Sequence, residues 1–498
     1  MNNVKASLIR FATISSATSF NNEATPQIGL AYLASICKIN EVEVEGIDAT
    51  AISINKKFDI PKYKLKGQGI DVDEVINRID PKTNIIGVSA MFTYEWLYVR
   101  DCIKEVKKKF PHVKVVAGGE HVTALTDYSL NDCHELDYIV LGEGEQTWTE
   151  IMIKLKDGSQ NFSDIPGIVF RENEKIIRTK PRARIKEIDK IPWPDWETIP
   201  VEPYLDSATG FGPGSGRNMP MLASRGCPYA CTFCESKSMW TRKVRYRSPE
   251  NVIAEMKQMY NFGVRKVNFD DDTFGVSKKN IKSINDLLHQ ELPKMTYTCE
   301  TVVQLAKDEN VVKDMKRGGC TATFVGIESG NNEILKKIKK TQTTKECVQA
   351  MKNLRKHGIE SHAFIMVGFP DETEETFKQT MDFIPELKPD GVIFSIFTPY
   401  PGSDIYNECK DKEIIKGDFD LVLYNHQSPL NCFTKNIPKE RFYELRKEAF
   451  EFVDNYNRKA KLRRGIASLK NLGIVATWKR VYRYFYSKFL NYTIVKSS

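Results

Sequence analysis

The 498-residue sequence predicts an α/β protein: two parallel-sheet units in series, then an α-helical C-terminal extension. Three observations predict it. Apolar runs alternate with helix-spaced segments from residue 1 to about 155, the alternation stops over 156–217, and it resumes six times between 218 and 405. Strand–helix alternation buries a parallel sheet between layers of helices. The first unit, 1–155, is expected to be a doubly wound sheet. The second, 218–405, is expected to be a partial (β/α)6 barrel, and 406–498 a helical region.

In the first unit the strand candidates are 4–11, 42–47, 84–90, 113–117 and 137–141, and the helix-spaced segments are 26–39, 72–79, 95–109 and 145–156. Ligands of such a Rossmann-like sheet bind beyond the carboxyl ends of the strands. The turns that fall there are Ser89-Ala90-Met91-Phe92-Thr93, Gly118-Gly119-Glu120-His121 and Gly142-Glu143-Gly144-Glu145. Their glycines allow close backbone approach to a large ligand. His121 reads either as a ligand contact or as a surface-loop histidine. Glu143 and Glu145 read either as ligand contacts or as acidic residues favouring the next helix N-terminus.

Residues 156–217 read as a linker, with a polar hairpin, the Pro- and Trp-rich crossing Ile191-Pro192-Trp193-Pro194-Asp195-Trp196 and a glycine-rich stretch at 210–216. The barrel strands are expected at 218–224, 266–271, 296–303, 322–328, 361–368 and 391–398, with helices at 249–262, 277–291, 308–317, 343–357 and 373–387 between them. Active residues of a barrel lie at the carboxyl ends of its strands. Asp270-Asp271-Asp272 ends the second strand, where three carboxylates repel one another and at least one needs a partner. Helix capping and hydrogen bonding are preferred there to a divalent-metal site. Glu300 lies in the third strand, Glu328 ends the fourth, and Gly368 ends the fifth, where Glu372 is a candidate helix cap. Cys299 and Cys320 are expected to be packing residues.

The most informative run is Ser-Arg-Gly-Cys-Pro-Tyr-Ala-Cys-Thr-Phe-Cys, with cysteines at 227, 231 and 234. Thiolates suit iron–sulfur clusters, zinc or copper. Zinc usually takes paired arms that total four ligands, and the next cysteine here is Cys299. Three thiolates on a four-iron cluster would leave one iron open to a small molecule.

This Cys-x-x-x-Cys-x-aromatic-Cys run resembles the signature of radical S-adenosylmethionine (SAM) enzymes, with Phe233 in the aromatic place. The resemblance implies a [4Fe–4S] cluster on Cys227, Cys231 and Cys234, with SAM chelated to the open iron and cleaved reductively to a 5′-deoxyadenosyl radical. It further implies SAM contacts at Phe233, Glu300, Glu328 and Gly368. The first unit is similar to the cobalamin-binding domain that precedes many radical SAM modules, through residues 26–34 and the Gly142-Glu143-Gly144-Glu145 turn. That implies cobalamin contacts at Ser89, Gly118, Gly119, Gly142, Glu143 and Gly144. The Asp-x-His-x-x-Gly loop that places a histidine beneath cobalt is missing, as in many radical SAM members. The implied function is a cobalamin-dependent radical SAM methyltransferase acting on an unactivated carbon of a lipid-like or natural-product substrate, with flavodoxin or ferredoxin as electron donor. The alternatives are an anaerobic cyclase or rearrangement enzyme, and a corrinoid- or cluster-binding sensor without turnover.

A hydrophobic content of 41% and charged content of 28% are those of a soluble globular chain. No apolar run long enough for a transmembrane helix, no secretory pattern and cysteines without a compact framework lead to an expected cytoplasmic location. The net charge of +8 is uneven. Residues 455–498 hold eleven Lys or Arg and no Asp or Glu, so removing them leaves −3 for the rest. In that tail the basic residues interleave with Trp478, Tyr482, Tyr484, Phe485, Tyr486 and Phe489. Such a pattern suits an anionic membrane surface, and peripheral contact at the inner membrane face is expected. Nucleic-acid binding and a solvated tail are the rival readings. A helix at 439–457 is expected to close the barrel.

Overall fold

A computed structural model describes residues 4–16, 24–205, 217–415, 420–425, 428 and 430–465. The first sheet contains five parallel strands, Lys5–Arg10, Glu43–Asp48, Ile85–Ser89, Lys114–Gly118 and Tyr138–Val140. Their spatial order is second, first, third, fourth, fifth. The order reverses between the first and third strands, and that switch opens a crevice at the carboxyl ends. Neighbouring residues of one strand serve opposite faces. Leu8 packs with helices Ile28–Ile39 and Glu145–Lys156, while Ile9 packs with helix Trp96–Lys109 on the other side.

Two features differ from the sequence expectation. The hairpin Ile168–Glu172 and Lys175–Arg178, read as part of the linker, extends the first sheet antiparallel, with Phe170 opposite Tyr138. Its Ile168, Val169 and Phe170 are buried, and it covers the edge of the three-residue fifth strand. A small antiparallel sheet, Thr13–Ser16, Lys57–Ile60 and Leu65–Gln68, is unmarked in the sequence because its strands are short and partly polar.

The second sheet has six parallel strands in chain order: Asn218–Met221, Lys266–Phe269, Thr296–Thr301, Cys320–Glu328, Glu360–Val367 and Gly391–Ile396. The helices between them begin at side-chain caps. Ser248, Ser277, Asp308, Thr343 and Thr373 each accept a backbone N–H of the first turn. The carboxyl ends of both sheets meet one cavity, lined by Ser89, Gly118 and Gly142 from one side and Leu222 and Asp270 from the other. The linker straps the units together. Asp195 N–H donates to Ala31 O at 2.9 Å, and the Trp193 indole donates to Asn251 on the first barrel helix at 3.3 Å. The glycine-rich stretch at 210–216 lies outside the described residues.

The closing helix runs over 439–465, longer than expected. Its Phe442 is fully buried against Gly368 and edge-on to Phe377, and Phe450 stands edge-on to Phe394 at 5.1 Å. Asn457 accepts from Val392 N–H at 2.8 Å and donates to Val392 O at 2.9 Å, pairing the edge of the sixth strand as a neighbouring strand would. The first basic residues of the tail belong to this helix rather than to a free segment: Arg464 pairs with Glu360 and Arg458 with Asp454. The remainder, 466–498, lies outside the described residues. Among the described residues no helix is long and apolar enough to cross a membrane.

Phe442→Ala should lower stability by about 3–5 kcal/mol, the usual cost of emptying a buried aromatic site. The measurement is the denaturant midpoint of the variant against the parent, and an unchanged midpoint would mean that this helix does not close the barrel.

Candidate active site

The loop after the first barrel strand carries Cys227, Cys231 and Cys234, all half-buried and none disulfide-bonded. They face a cavity of about 200 Å³ shared with Phe233, Asp272, Thr273, Glu300, Glu328 and Lys340. Burial pushes the Cys234 thiol up to about 12 and raises Cys231 as well, so these thiols keep their protons until a metal cation displaces them. Among the described residues no three metal-ligating side chains converge as ligands of a single ion would. Thiols spread along a loop suit a cluster that takes one thiolate per iron.

The second barrel strand braces this loop. Asp271 accepts from Ala223 N–H at 2.8 Å and from the Ser224 hydroxyl, and burial lifts it to about 7. Asp272 accepts from the Ser236 hydroxyl at 2.6 Å and from Gly226 N–H at 3.3 Å. Hydrogen bonding is therefore their role. The helix that follows is capped by Ser277, so the capping reading is corrected.

Across the pocket, Lys340 Nζ lies 2.9 Å from Glu328 Oε1 and 5.9 Å from the centre of the Phe233 ring. Burial opposes its charge, but Glu328 and the nearby thiols raise its pKa above the ordinary lysine value. Glu328 sits at φ +68° in a strand irregularity, a conformation costing on the order of 1 kcal/mol or more for a non-glycine residue. A Cβ at Gly326 would meet Glu328 Oε1 and Lys340 Nζ at 2.7 Å, so the glycine makes room for the ion pair.

A second cavity, of about 440 Å³, lies between the units. Ser89, Gly118, Gly119, Gly142, Glu143 and Gly144 all line it, together with Glu120, Glu145, Arg225, Trp240 and Asp270. A Cβ placed on Gly118 would meet nothing within 4 Å, so the backbone there borders open space. Glu145 Oε2 is buried on the same wall without a partner.

Glu143 and Glu145 are also the receiving end of a buried ion-pair network. Arg225, two residues before Cys227, reaches Glu143 Oε1 at 2.9 Å and Glu145 Oε1 at 2.6 Å, and Arg245 reaches Glu143 Oε2 at 2.6 Å. The Arg225 guanidinium also lies 5.1 Å from the Tyr32 ring and 5.3 Å from that of Trp240. Burial pushes Glu145 upward, but the charge of Arg225 outweighs it and holds the carboxyl below its ordinary value.

The amino-acid sequence matches two family descriptions in the same order: a B12 binding domain over 22–152 and the radical SAM superfamily over 221–384. An uncharacterized methyltransferase of Pyrococcus horikoshii is 33% identical over 383 residues, spanning 76% of this chain and 78% of that one. The chain belongs to the cobalamin-binding radical SAM family. An anaerobic magnesium-protoporphyrin IX monomethyl ester cyclase of Rubrivivax gelatinosus is 26% identical over 366 residues, 72% of this chain and 64% of that one. The fold is shared with the radical SAM methyltransferase TsrM of Kitasatospora setae, at a TM-score of 0.67 and 16% identity over 91% of this chain and 89% of that one.

As a radical SAM enzyme the protein uses a [4Fe–4S] cluster, SAM and cobalamin, and the two cavities supply fitting residues for them. Of the four expected SAM contacts, Phe233, Glu300 and Glu328 line the cysteine pocket. Gly368 does not. It lies beneath Phe442 at φ +94°, and its N–H donates to Glu372, which ties this turn instead of capping the next helix. His121 is neither a cofactor contact nor a surface residue. It is buried, stacked on Trp96 at 4.8 Å, with Thr93 Oγ1 3.2 Å from Nδ1 and Ser129 Oγ 3.3 Å from Nε2, and burial pushes it down to about 3. Lys340, Arg225 and Arg245 escape the sequence reading, since an isolated cation carries no local mark of its distant partner.

Arg225→Met should leave the buried Glu145 without its cation, while Glu143 keeps Arg245, and cost about 3–5 kcal/mol. Glu145 has a depressed folded pKa, so its contribution is complete above the ordinary value of 4.5 and is lost as pH falls through the lower folded value. Thermal midpoints measured between pH 7 and pH 3 should fall on acidification in the parent protein and respond less in Arg225→Met.

Proposed function

We propose that the enzyme is a C-methyltransferase, transferring a methyl group to an unactivated carbon of a small-molecule substrate, with a flavodoxin or ferredoxin as reductant. When bound, the cluster and SAM supply a hydrogen-abstracting adenosyl radical, and the corrinoid supplies the methyl group. The observation that carries this reading is the meeting of two cavities at one place. Asp270 lines the interdomain cavity, while Asp272 and Glu300, from the same ends of neighbouring strands, line the cysteine pocket.

The chain's own residues then have separate tasks. Cys227, Cys231 and Cys234 hold the cluster, and Asp271 and Asp272 keep their loop in place. Glu328, steadied by Lys340, offers a carboxylate that can accept two hydrogen bonds from a ribose diol. Phe233 offers backbone and ring to the adenine. The glycine turns leave room for the corrin, and the ion pairs of Arg225 fix the spacing of the two cavities. A ring-closing reaction is the second reading, favoured by the similarity to the magnesium-protoporphyrin ester cyclase. A lipid-like substrate and membrane contact rest on the basic tail at 466–498.

Anaerobically reconstituted protein should cleave SAM to 5′-deoxyadenosine under reduction, and Cys231→Ala should abolish both this cleavage and the cluster absorption. Retained cleavage in that variant would overturn the cluster assignment. Labelled methyl from SAM should appear in product if the enzyme methylates, and not if it closes a ring. Because both nitrogens of His121 are occupied within the protein, the Co(II) electron paramagnetic resonance spectrum should lack axial nitrogen splitting, and a nitrogen triplet would refute this. For the tail, sedimentation with anionic liposomes at low salt, reversed by salt, is the expected result.

A further inference from the structure

We infer that an acidic one-electron carrier protein docks on the basic surface beside the cysteine loop, formed by Lys336, Lys337 and Lys339 on one flank and Lys237, Arg242 and Lys243 on the other. The inference rests on the reductive reading given above and names the surface its reductant would use.

A thin apolar layer separates the cysteine loop from solvent on this side. Thr232, between Cys231 and Cys234, donates its N–H to Ile338 O at 3.1 Å and accepts from Ile405 N–H at 3.0 Å, so the loop is clasped from both flanks. Ile338 and Ile405 are buried in one small apolar cluster against Phe233. Helix Asn332–Lys337 puts Ile334 and Leu335 into that cluster and leaves Lys336 and Lys337 exposed, and Lys339 follows, exposed as well. At the start of the loop a Cβ on Gly226 would meet Lys243 O at 2.9 Å, so the chain at 241–243 lies directly against it, with the Arg242 and Lys243 side chains exposed. Helix Ser236–Trp240, which carries Lys237, begins two residues after Cys234. The interdomain side of the loop is closed to a protein, because there Arg225 binds Glu143 and Glu145 of the first unit.

These cations outnumber the carboxylates around them. Asp404, first residue of helix Asp404–Asp411, pairs with Lys237 and lies 3.7 Å from Arg242. The hydrogen bond from Lys237, with the charges of Lys339 and Arg242, holds its carboxyl below the ordinary range. Asp371 lies 3.5 Å from Lys337 and 3.7 Å from Lys435. Glu333 adds one more negative charge, whereas Lys243, Lys336 and Lys339 make no ion pair among the described residues. Farther along the second helix Lys410 and Lys412 stand against Glu408, Asp411 and Glu413, so the surplus lies at the end beside the loop. Without its tail at 455–498 the chain is net −3, so the patch does not follow from the charge of the rest. A surplus of surface cations steers an acidic partner and speeds its association. Encounters between redox proteins are small, often below about 1,200 Å² of total buried surface, so a patch flanking one loop is enough. The carrier is oxidised by one electron, and that electron reduces SAM, breaking its C–S bond to give methionine and the 5′-deoxyadenosyl radical.

The test is the fluorescence anisotropy of a labelled acidic flavodoxin titrated with anaerobically reconstituted protein. Association should weaken roughly tenfold in the double variant Lys336→Glu with Lys339→Glu, and should weaken in the parent as ionic strength rises from about 0.01 M to about 0.15 M. Lys243→Glu, on the other flank, should act in the same direction. Lys313→Glu with Lys352→Glu, exposed on the outer helices Glu309–Arg317 and Thr344–Lys356, should leave association within about twofold of the parent. Formation of 5′-deoxyadenosine with limiting reduced flavodoxin should fall in the first variant as binding does, while formation with dithionite stays at the parent rate. Unchanged affinity in Lys336→Glu with Lys339→Glu, an equal loss in the outer-helix variant, or an equal loss of cleavage with both reductants would each overturn the inference. Failure of the broader reading would look different: no 5′-deoxyadenosine from the parent protein with either reductant, whether or not flavodoxin binds.

Discussion

The ion pairs of Arg225 with Glu143 and Glu145 are the constraint on which the geometry of this enzyme depends. Both partners are buried, so neither has water as an alternative. A buried pair of this kind is weak evidence for net stability, because desolvation offsets much of the attraction. Its effect is on position. Arg225 ends the short strand Ser224–Arg225 that leads into the cysteine loop, and the two glutamates belong to the last parallel turn of the B12-binding unit. A shift of either unit would strand a charge, so the spacing of the two cavities is set by electrostatics as well as by shape.

Around that fixed point the carboxyl ends of the barrel strands divide into braces and open groups. Asp271 and Asp272 spend their oxygens on the cluster loop, and Glu328 is held by Lys340. Glu120 and Glu235 meet across the unit boundary, where burial and the charge of Asp272 lift Glu120 to about 7, while burial and the charge of Glu120 push Glu235 well above the carboxylate range. The mouth of the barrel is therefore rich in acid groups but has its cations already paired.

The elements were legible because each has a local cause. Runs such as Ile85–Ser89 alternate between two cores, and Ser, Thr or Asp stands before five of the helices between the barrel strands. The cysteine spacing marked the Cys227–Cys234 loop for the same reason. What the sequence hid depends on distance. His121 lies in a turn that reads as exposed, yet Thr93 and Ser129 enclose it. Gly368 matches a family turn, but Phe442, 74 residues on, occupies the space beside it. Arg225 and Lys340 are ordinary basic residues until the fold brings their carboxylates to them. The hairpin at 168–178 read as linker because its second strand is short and flanked by charges, and only pairing with Tyr138–Val140 makes it part of a sheet.

The pairing of Asn457 with Val392 bears on how the chain reaches its native state during synthesis. A barrel open on one side ends in a strand whose backbone groups have no strand beyond them, and here a side-chain amide takes that place. The two residues are 65 positions apart. At about 5–20 residues per second on the ribosome, the gap corresponds to roughly 3–13 s during which the sheet is complete but its edge is unsealed. An unpaired parallel edge is a template for another chain. Newly made protein is thus prone to self-association before its closing helix emerges, when a chaperone that shields strand edges would have an effect.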